Sequence, residues 1–359
     1  GANQIALIMA ACIALVIGWK NGYSWNEMEK GIVRSIGVAT GALLILFTVG
    51  SLIGTWILSG TVPTMIYYGM LLLNPEYFYA ACCLLCAVVA ISIGSSWTVA
   101  GTLGIALVGV ASAMGLSVEI TAGAIISGAY FGDKMSPMSD TTNLAPAVAG
   151  TDIFSHIRHV VWTTVPSIII ALIGFLFIGL NSDIATDSSN FATTLSLLKT
   201  QFSPGMHLLL PLLVVLFLAY KRMPAFPTVI IGTLAGAICA AIFQFDGVVA
   251  LADDTSLLPA VALVKGIWIA MFNGYSANTG DEVLNSLLSR GGMSSMINTV
   301  WLILCAMTFG GIMEVTGLLK RILQSILTGI KSSGSLIITT LASCIGANLI
   351  TADQFISIV

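Results

Sequence analysis

Asp133 and Asp140 stand in the stretch 132–143, GDKMSPMSDTTN, together with Lys134, Ser136, Ser139, Thr141, Thr142 and Asn143. Carboxylate, hydroxyl and amide oxygens are hard donors, the ligand type that hard cations prefer. The stretch holds no Cys or His, so zinc and copper are disfavoured. A partly buried carboxylate can hold a proton or a metal cation, but not both easily. That competition is the minimum chemistry of a cation/proton exchanger. Asp133 and Asp140 are the candidate shared sites, Ser136, Ser139, Thr142 and Asn143 the candidate neutral ligands, and Lys134 the group that tunes their charge. The competing reading is an exposed, turn-rich loop in which Lys134 pairs with one aspartate.

The elements that must position these groups are apolar. The 359 residues are 57% hydrophobic and 8% charged, against roughly 25% charged in a soluble domain. Runs of membrane-spanning length recur along the chain, and about ten spanning or half-spanning segments fit. They are too long for strands and do not alternate, so the expected fold is an all-α polytopic membrane protein. The apolar flanks of the polar stretch, 120–131 and 144–150, are each too short to span alone. Gly132 and Pro137 weaken helix geometry between them. Two half-helices around an unwound segment satisfy both facts, and such backbone is tolerated at depth where it lines a cavity or is buried in protein.

A second hydroxyl-rich stretch, ISIGSSWTVAGTLG at 91–104, offers Ser95, Ser96 and Thr98 as further neutral ligands. Its glycines permit a tight hairpin, or equally the small-residue helix packing common in membranes. In the second half Glu314, Asn348 and Asp353 are candidates, with Glu314 alternatively pairing with Lys320 or Arg321 near the interface. Glu119 reads as a helix-start carboxylate. His156 and His159 read as solvated residues of a basic loop. The seven cysteines lie in apolar segments and read as small packing residues rather than disulfide or metal ligands. A net charge of −3 without a basic patch gives no reason to expect a nucleic acid partner.

Three collinear matches suggest internal duplication: NGYS at 21–24 and 273–276, IGTWILSG at 53–60 beside GGIMEVTG at 310–317, and SIGSS at 92–96 beside CIGAN at 344–348. This predicts a first transmembrane repeat over 1–180, an extramembrane linker over 181–206 and an incomplete second repeat over 207–359. The counterpart of GDKMSPMSDTTN would fall past residue 359, and 208–243 has no partner before residue 1. The chain is therefore expected to be a piece truncated at both ends. Duplicated halves are typical of secondary transporters, whose sites form where broken helices meet near the midplane. The basic stretches HIRH (156–159) and KRMPAFP (221–227) are expected on the cytoplasmic side.

The stretch 123–167, GAIISGAYFGDKMSPMSDTTNLAPAVAGTDIFSHIRHVVWTTVPS, resembles the signature region of the NhaC family of Na+/H+ antiporters. GSLIGTWILSGTVPTMIYYG (50–69) and GSSWTVAGTLG (94–104) fit the same family. The resemblance implies two inverted repeats with re-entrant hairpins and broken helices. GSSWT would lie at a hairpin tip, GDKMSPMSDTTN at the break of the following helix, and CIGANLITADQ (344–354) at the opening of the matching hairpin. It further implies a multi-pass protein of the cytoplasmic membrane that exchanges Na+ for H+. Its partners would be Na+, H+, membrane lipid and a second copy in a homodimer, and no cofactor is expected. A Na+- and proton-coupled malate/lactate exchanger, with a small carboxylate as partner, is the alternative within the family. From a different class, an intramembrane aspartyl protease also needs two embedded aspartates. Tyr130 in YFGD stands where that enzyme needs glycine, so a transporter rather than an enzyme is expected.

Overall fold

The computed structural model describes residues 2–137, 139–181, 188–221, 223–253, 256–277, 285, 288–327 and, beyond these, 334, 338–339, 341–343 and 345. The described residues contain helices and no strand. Seven helices are long and apolar enough to cross a membrane, or eight if one bent pair is counted as a span. The all-α, multi-pass architecture expected from composition is therefore present. By packing, the chain forms two compact units. One joins Gly1–Leu46 to Met296–Val359, and the other is Phe47–Ser295. Compactness and duplication are different properties, so these units do not bear on the repeat boundaries at 180 and 207.

In the first unit, α1 (Ala2–Lys20) and α15 (Met293–Val315) run parallel. Gln4 donates to the Asn298 carbonyl (3.4 Å) near their starts, and a Cβ on Gly18 would stand 2.5 Å from Thr316 Cγ2 near their ends. The first part of α2 (Trp25–Leu58) packs antiparallel to α15, with Gly31 against the Gly311 carbonyl and Ser35 Oγ 3.6 Å from Met307 Sδ. Gly22, with φ 92°, makes the turn between α1 and α2. The short helix α16 (Leu318–Leu327) follows Gly317, whose φ is 69°.

The second unit carries the polar stretch. After α3 (Thr61–Leu72), α4 (Phe78–Ile93) ends at Gly94, a left-handed C-cap with φ 74°. The chain returns as α5 (Ser96–Val99), a π turn over Ala100–Gly104 and α6 (Ile105–Ala113). Then α7 (Val118–Met135) starts at the N-cap Ser117, whose hydroxyl also donates to Glu119 in the first turn (2.8 Å), the helix-start position expected for that acid. A break at 136–139 separates α7 from α8 (Asp140–Ala149). The break is shorter than the sequence suggests: Gly132, Asp133 and Lys134 belong to the last turn of α7, which at 18 residues is about 27 Å long.

Gly132 stays helical because its missing side chain is used for packing. A Cβ on Gly128 would overlap the Cys83 carbonyl, and one on Gly132 would meet Ala90 Cβ at 2.5 Å and the Ile91 nitrogen at 2.7 Å. The contacts advance together along both chains, so α4 and α7 are parallel and nearly in backbone contact. Small residues are how membrane helices gain close van der Waals packing when lipid is as apolar as their own side chains. Cys82, Cys83 and Cys86 are buried in this face, and the six described cysteines are all unpaired.

The remaining helices are α9 (Ile153–Leu180), α10 (Ser188–Phe202), α11 (Leu210–Tyr220), α12 (Ala225–Phe243), α13 (Phe245–Leu251) and α14 (Pro259–Phe272). HIRH lies in the first turns of α9 rather than in a loop, because Asp152 caps that helix by accepting from the Phe154 and Ser155 amides, both at 3.0 Å. Hydrogen bonds from the Ser155 side chain and from these amides hold the Asp152 carboxyl below its ordinary pKa. The segment 181–206 contains α10, whose Leu198 and Phe202 are buried in the core. Thr193–Phe202 and Met206–Tyr220 meet at a bend of 82°.

Replacing Gly128 by Ala is expected to destabilise the protein by about 1–3 kcal/mol through overpacking. Gly123→Ala, on the same helix with open space around it, should not. Thermal unfolding of the full-length protein in detergent compares the two.

Candidate functional site

The site is built where the α4–α5 turn meets the end of α7. Asp133, 5% exposed, accepts a hydrogen bond at Oδ2 from Ser96 Oγ at 2.9 Å. Ser96 opens α5 and is itself buried. Ser95 caps that helix: its hydroxyl accepts from the Thr98 amide (3.3 Å) and lies 3.0 Å from Thr98 Oγ1. Thr102 donates to the Thr98 carbonyl at 2.6 Å. Of the hydroxyls expected at a hairpin tip, Ser96 therefore meets the buried aspartate, while Ser95 and Thr98 bond to each other at the start of α5.

The break after α7 is closed by side chains. Thr142 Oγ1 lies 3.1 Å from the Asp133 carbonyl and 3.3 Å from that of Lys134, to which it donates. Asn143 Nδ2 donates to the Pro137 carbonyl (3.0 Å) and the Ser139 carbonyl (2.7 Å). Ser139 caps α8, accepting from the Thr142 amide (3.4 Å), and its hydroxyl lies 3.0 Å from Thr141 Oγ1. The Ser136 amide donates to Asp133 O at 3.2 Å, and the Ser139 amide to Ser136 O at 3.2 Å. Ser136, Ser139 and Thr142 are buried, so interrupted helical backbone here is enclosed by protein, as membrane burial requires.

All the donors gathered here are oxygen. A hydroxyl that donates keeps lone pairs on the same oxygen, so Thr142 can hold the Asp133 and Lys134 carbonyls, and Ser96 the Asp133 carboxylate, and still face a cation. Asn143 spends both named bonds on the break through its NH2 group. Among the described residues no group of three or more His, Cys, Asp or Glu gathers as a metal centre.

Other candidates fall elsewhere or outside the described atoms. Lys134 is exposed. Asp140 is the first residue of α8, and its side chain lies outside the described set. Asn348 and Asp353 lie outside the described residues. Glu314, by sequence a candidate site residue or a partner of Lys320 or Arg321, has Arg34 3.9 Å away in the first unit, and both side chains are exposed.

One polar feature lies away from the acids and loops. Ser51 and Thr55 on α2 and Ser59 just after it repeat every fourth residue and, with Thr61 and Thr64, are essentially inaccessible. Ser51 donates to the Met271 carbonyl (2.8 Å) and Thr61 to the Leu208 carbonyl (2.8 Å), while the Thr64 hydroxyl has no partner among the described residues. Beside this stripe, Gly54 packs on the Ala270 carbonyl and the Gly292 amide donates to Gly50 O at 2.7 Å. The four-residue hydroxyl period in SLIGTWILSGTVPT was the available signal.

Asn143→Ala removes two hydrogen bonds from the break and is expected to cost about 1–2 kcal/mol. Thermal unfolding of the full-length protein measures it, and Asn143→Gln should recover little because its longer arm misplaces the amide.

A model described as the Na+/H+ antiporter family matches residues 128–359. The chain is 38% identical over 356 residues to the Na+/H+ antiporter NhaC of Alkalihalophilus pseudofirmus, covering 99% of this chain and 73% of that protein. It is 35% identical over 361 residues to the malate-2H+/Na+-lactate antiporter of Bacillus subtilis, covering 99% and 73%. It is 36% identical over 345 residues to the arginine/ornithine antiporter ArcD of Halobacterium salinarum, covering 95% and 67%. No solved structure matches the chain.

Proposed function

Because the chain belongs to the Na+/H+ antiporter family, we propose that it exchanges Na+ for H+ across the cell membrane and that the two cations compete for Asp133, with Asp140 as the second carboxylate of the site. The observation that carries this reading is the 2.9 Å hydrogen bond from Ser96 to Asp133. It ties a buried carboxylate to a cluster of neutral oxygens, and a Na+ ion needs both charge compensation and several hard ligands. Ser95, Ser96, Thr98, Ser136, Ser139 and Thr142 are the ligand pool. Asn143 holds the break in shape, and Lys134 sets the field around the helix end.

Exchange follows from exclusion. When Na+ occupies the site, the carboxylate is charged and its proton has left. When a proton returns, the negative charge that held Na+ is gone. Moving the occupied site from one side to the other requires two arrangements of the same helices, which duplicated folds supply by moving one part against another. The reading takes the halves 1–180 and 207–359 as inverted repeats with 181–206 as linker, and matched glycines support the duplication. Gly22 and Gly274 in the two NGYS copies both have positive φ, 92° and 88°, as do Gly60 and Gly317, 80° and 69°.

The second reading is a Na+- and proton-coupled carboxylate exchanger, favoured by the similarity to the malate-2H+/Na+-lactate antiporter. It keeps the cation site and adds an organic anion.

In vesicles holding the full-length protein and a pH-sensitive dye, NaCl alone should move protons, and sodium malate should add nothing beyond its Na+. Asp133→Asn should reduce the response to background. Ser96→Ala should raise half-saturating Na+ about tenfold, the cost of one hydrogen bond to a charged group at roughly 1.5 kcal/mol. A response that requires malate would transfer the assignment to the carboxylate exchanger. Full activity in Asp133→Asn would remove that residue from the mechanism.

A further inference from the structure

We propose that the junction around Ser59, Thr61 and Thr64 in the second unit is a second Na+ site, built from neutral oxygens alone. Three interruptions of helix meet there. The first is Ser59–Gly60, between α2 and α3, where Gly60 has φ 80°. The second is the 82° bend after Phe202, and the third is Gln244, between α12 and α13. A Cβ on Gly60 would lie 3.1 Å from Leu208 Cδ1, 3.3 Å from Gln244 Nε2 and 3.8 Å from Phe202 Cδ1. Thr61 Oγ1 donates to the Leu208 carbonyl at 2.8 Å and Gln244 Nε2 to the Phe202 carbonyl at 3.2 Å, which ties the three together. From this junction α3 carries the chain over 12 residues, about 18 Å, to exposed Asn74 and Glu76. The junction therefore sits well inside a hydrocarbon core roughly 30 Å thick. Irregular backbone is tolerated there only where it lines a cavity or is buried in protein.

The oxygens at the junction are not all used. Ser59 Oγ lies 2.8 Å from Thr61 Oγ1 and 3.2 Å from the Trp56 carbonyl. Thr61 spends its hydrogen on Leu208, and both hydroxyls keep lone pairs. Thr64 stands three residues further along α3, on the same helix face as Thr61. Its hydroxyl is fully buried and has no partner among the described residues. Thr121 and Thr233 bond the carbonyl one turn back, at 2.7 Å and 2.9 Å, and Thr64 does not. A buried hydroxyl left unbonded is destabilising unless a ligand takes it. The Ser59 carbonyl adds a fourth oxygen: its helical donor would be the amide of residue 63, and Pro63 has none. Here α2 also ends, so the partial negative charge of a helix C-terminus lies at the junction and favours a cation over an anion. Hydroxyl and carbonyl oxygens are hard donors. With no carboxylate among them they suit a monovalent rather than a divalent ion. The proposal rests on the reading that this protein carries Na+. It differs from the Asp133 site in one respect, that none of its ligands titrates.

Radioactive Na+ bound per chain is counted by equilibrium dialysis of the full-length protein in detergent over a series of pH values. The native protein should bind two Na+ at high pH and one at low pH, since only the Asp133 site yields to protons. Asp133→Asn should keep one Na+ at every pH. Thr64→Val should keep only the pH-dependent one, whose survival shows that the variant is folded, and Thr64→Ser should bring the second back. A merely structural Thr64 gives the opposite result. Valine has the shape of threonine without the unmet polar group, so Thr64→Val would then raise thermal stability and leave the Na+ count unchanged. That outcome, or a native protein that binds no Na+ beyond what Asp133→Asn abolishes, would overturn the proposal. A single pH-independent Na+, kept in Asp133→Asn and lost in Thr64→Val, would uphold it while removing Asp133 from Na+ binding.

Discussion

Asp133 is buried in a chain with few charges, and a carboxylate in that position requires polar company close at hand. The Ser96 hydroxyl supplies it at 2.9 Å. That contact depends on how closely two helices approach, since Ser96 follows the end of α4 and Asp133 ends α7. Gly128 and Gly132 let α7 sit on the backbone of α4, and Gly94 reverses the chain tightly enough to bring Ser95 and Ser96 back over the end of α7. A side chain at either helical glycine would separate the pair. The packing of small residues and the chemistry of the site are therefore one problem.

The break at 136–139 depends on the same economy of space. A helix interrupted within a membrane leaves carbonyls without their usual amides. Here the Thr142 hydroxyl and the Asn143 amide reach the carbonyls of Asp133, Lys134, Pro137 and Ser139. Side-chain bonds can exchange partners with less rearrangement than a continuous helix ladder. A cation that takes oxygen ligands from this region competes with bonds that are already side-chain mediated.

Much of the site was legible because polarity in an apolar chain is conspicuous. GDKMSPMSDTTN and GSSWT both stand out, and their richness in oxygen groups without Cys or His already points to a hard cation. Their contact is not legible from spacing, because it rests on the close approach of α4 and α7; the hydroxyls of 91–104 offer ligands without placing them. The extent of the break is not legible because Gly132 reads as a helix breaker; it is helical because Ala87, Ala90 and Ile91 occupy the space of its side chain. HIRH looked like a loop because charged residues often are one, yet Asp152 caps a helix through it. The Ser51, Thr55 and Ser59 stripe was overlooked because hydroxyls are unremarkable in apolar helices, where they can bond the carbonyl one turn back. Glu314 reads equally as a site residue or as a partner of Lys320 or Arg321, and sequence separation conceals that Arg34, from a distant part of the chain, lies 3.9 Å from it.

The central claim is that Na+ and a proton exclude one another at Asp133. Calorimetric titration of Na+ into the full-length protein, repeated in buffers of different ionisation enthalpy, reads the protons released per Na+ bound. Competition at Asp133 gives proton release on Na+ binding, an apparent affinity that weakens as pH falls, and loss of the release in Asp133→Asn. Na+ binding with no proton release at any pH, or release unchanged in Asp133→Asn, would contradict it.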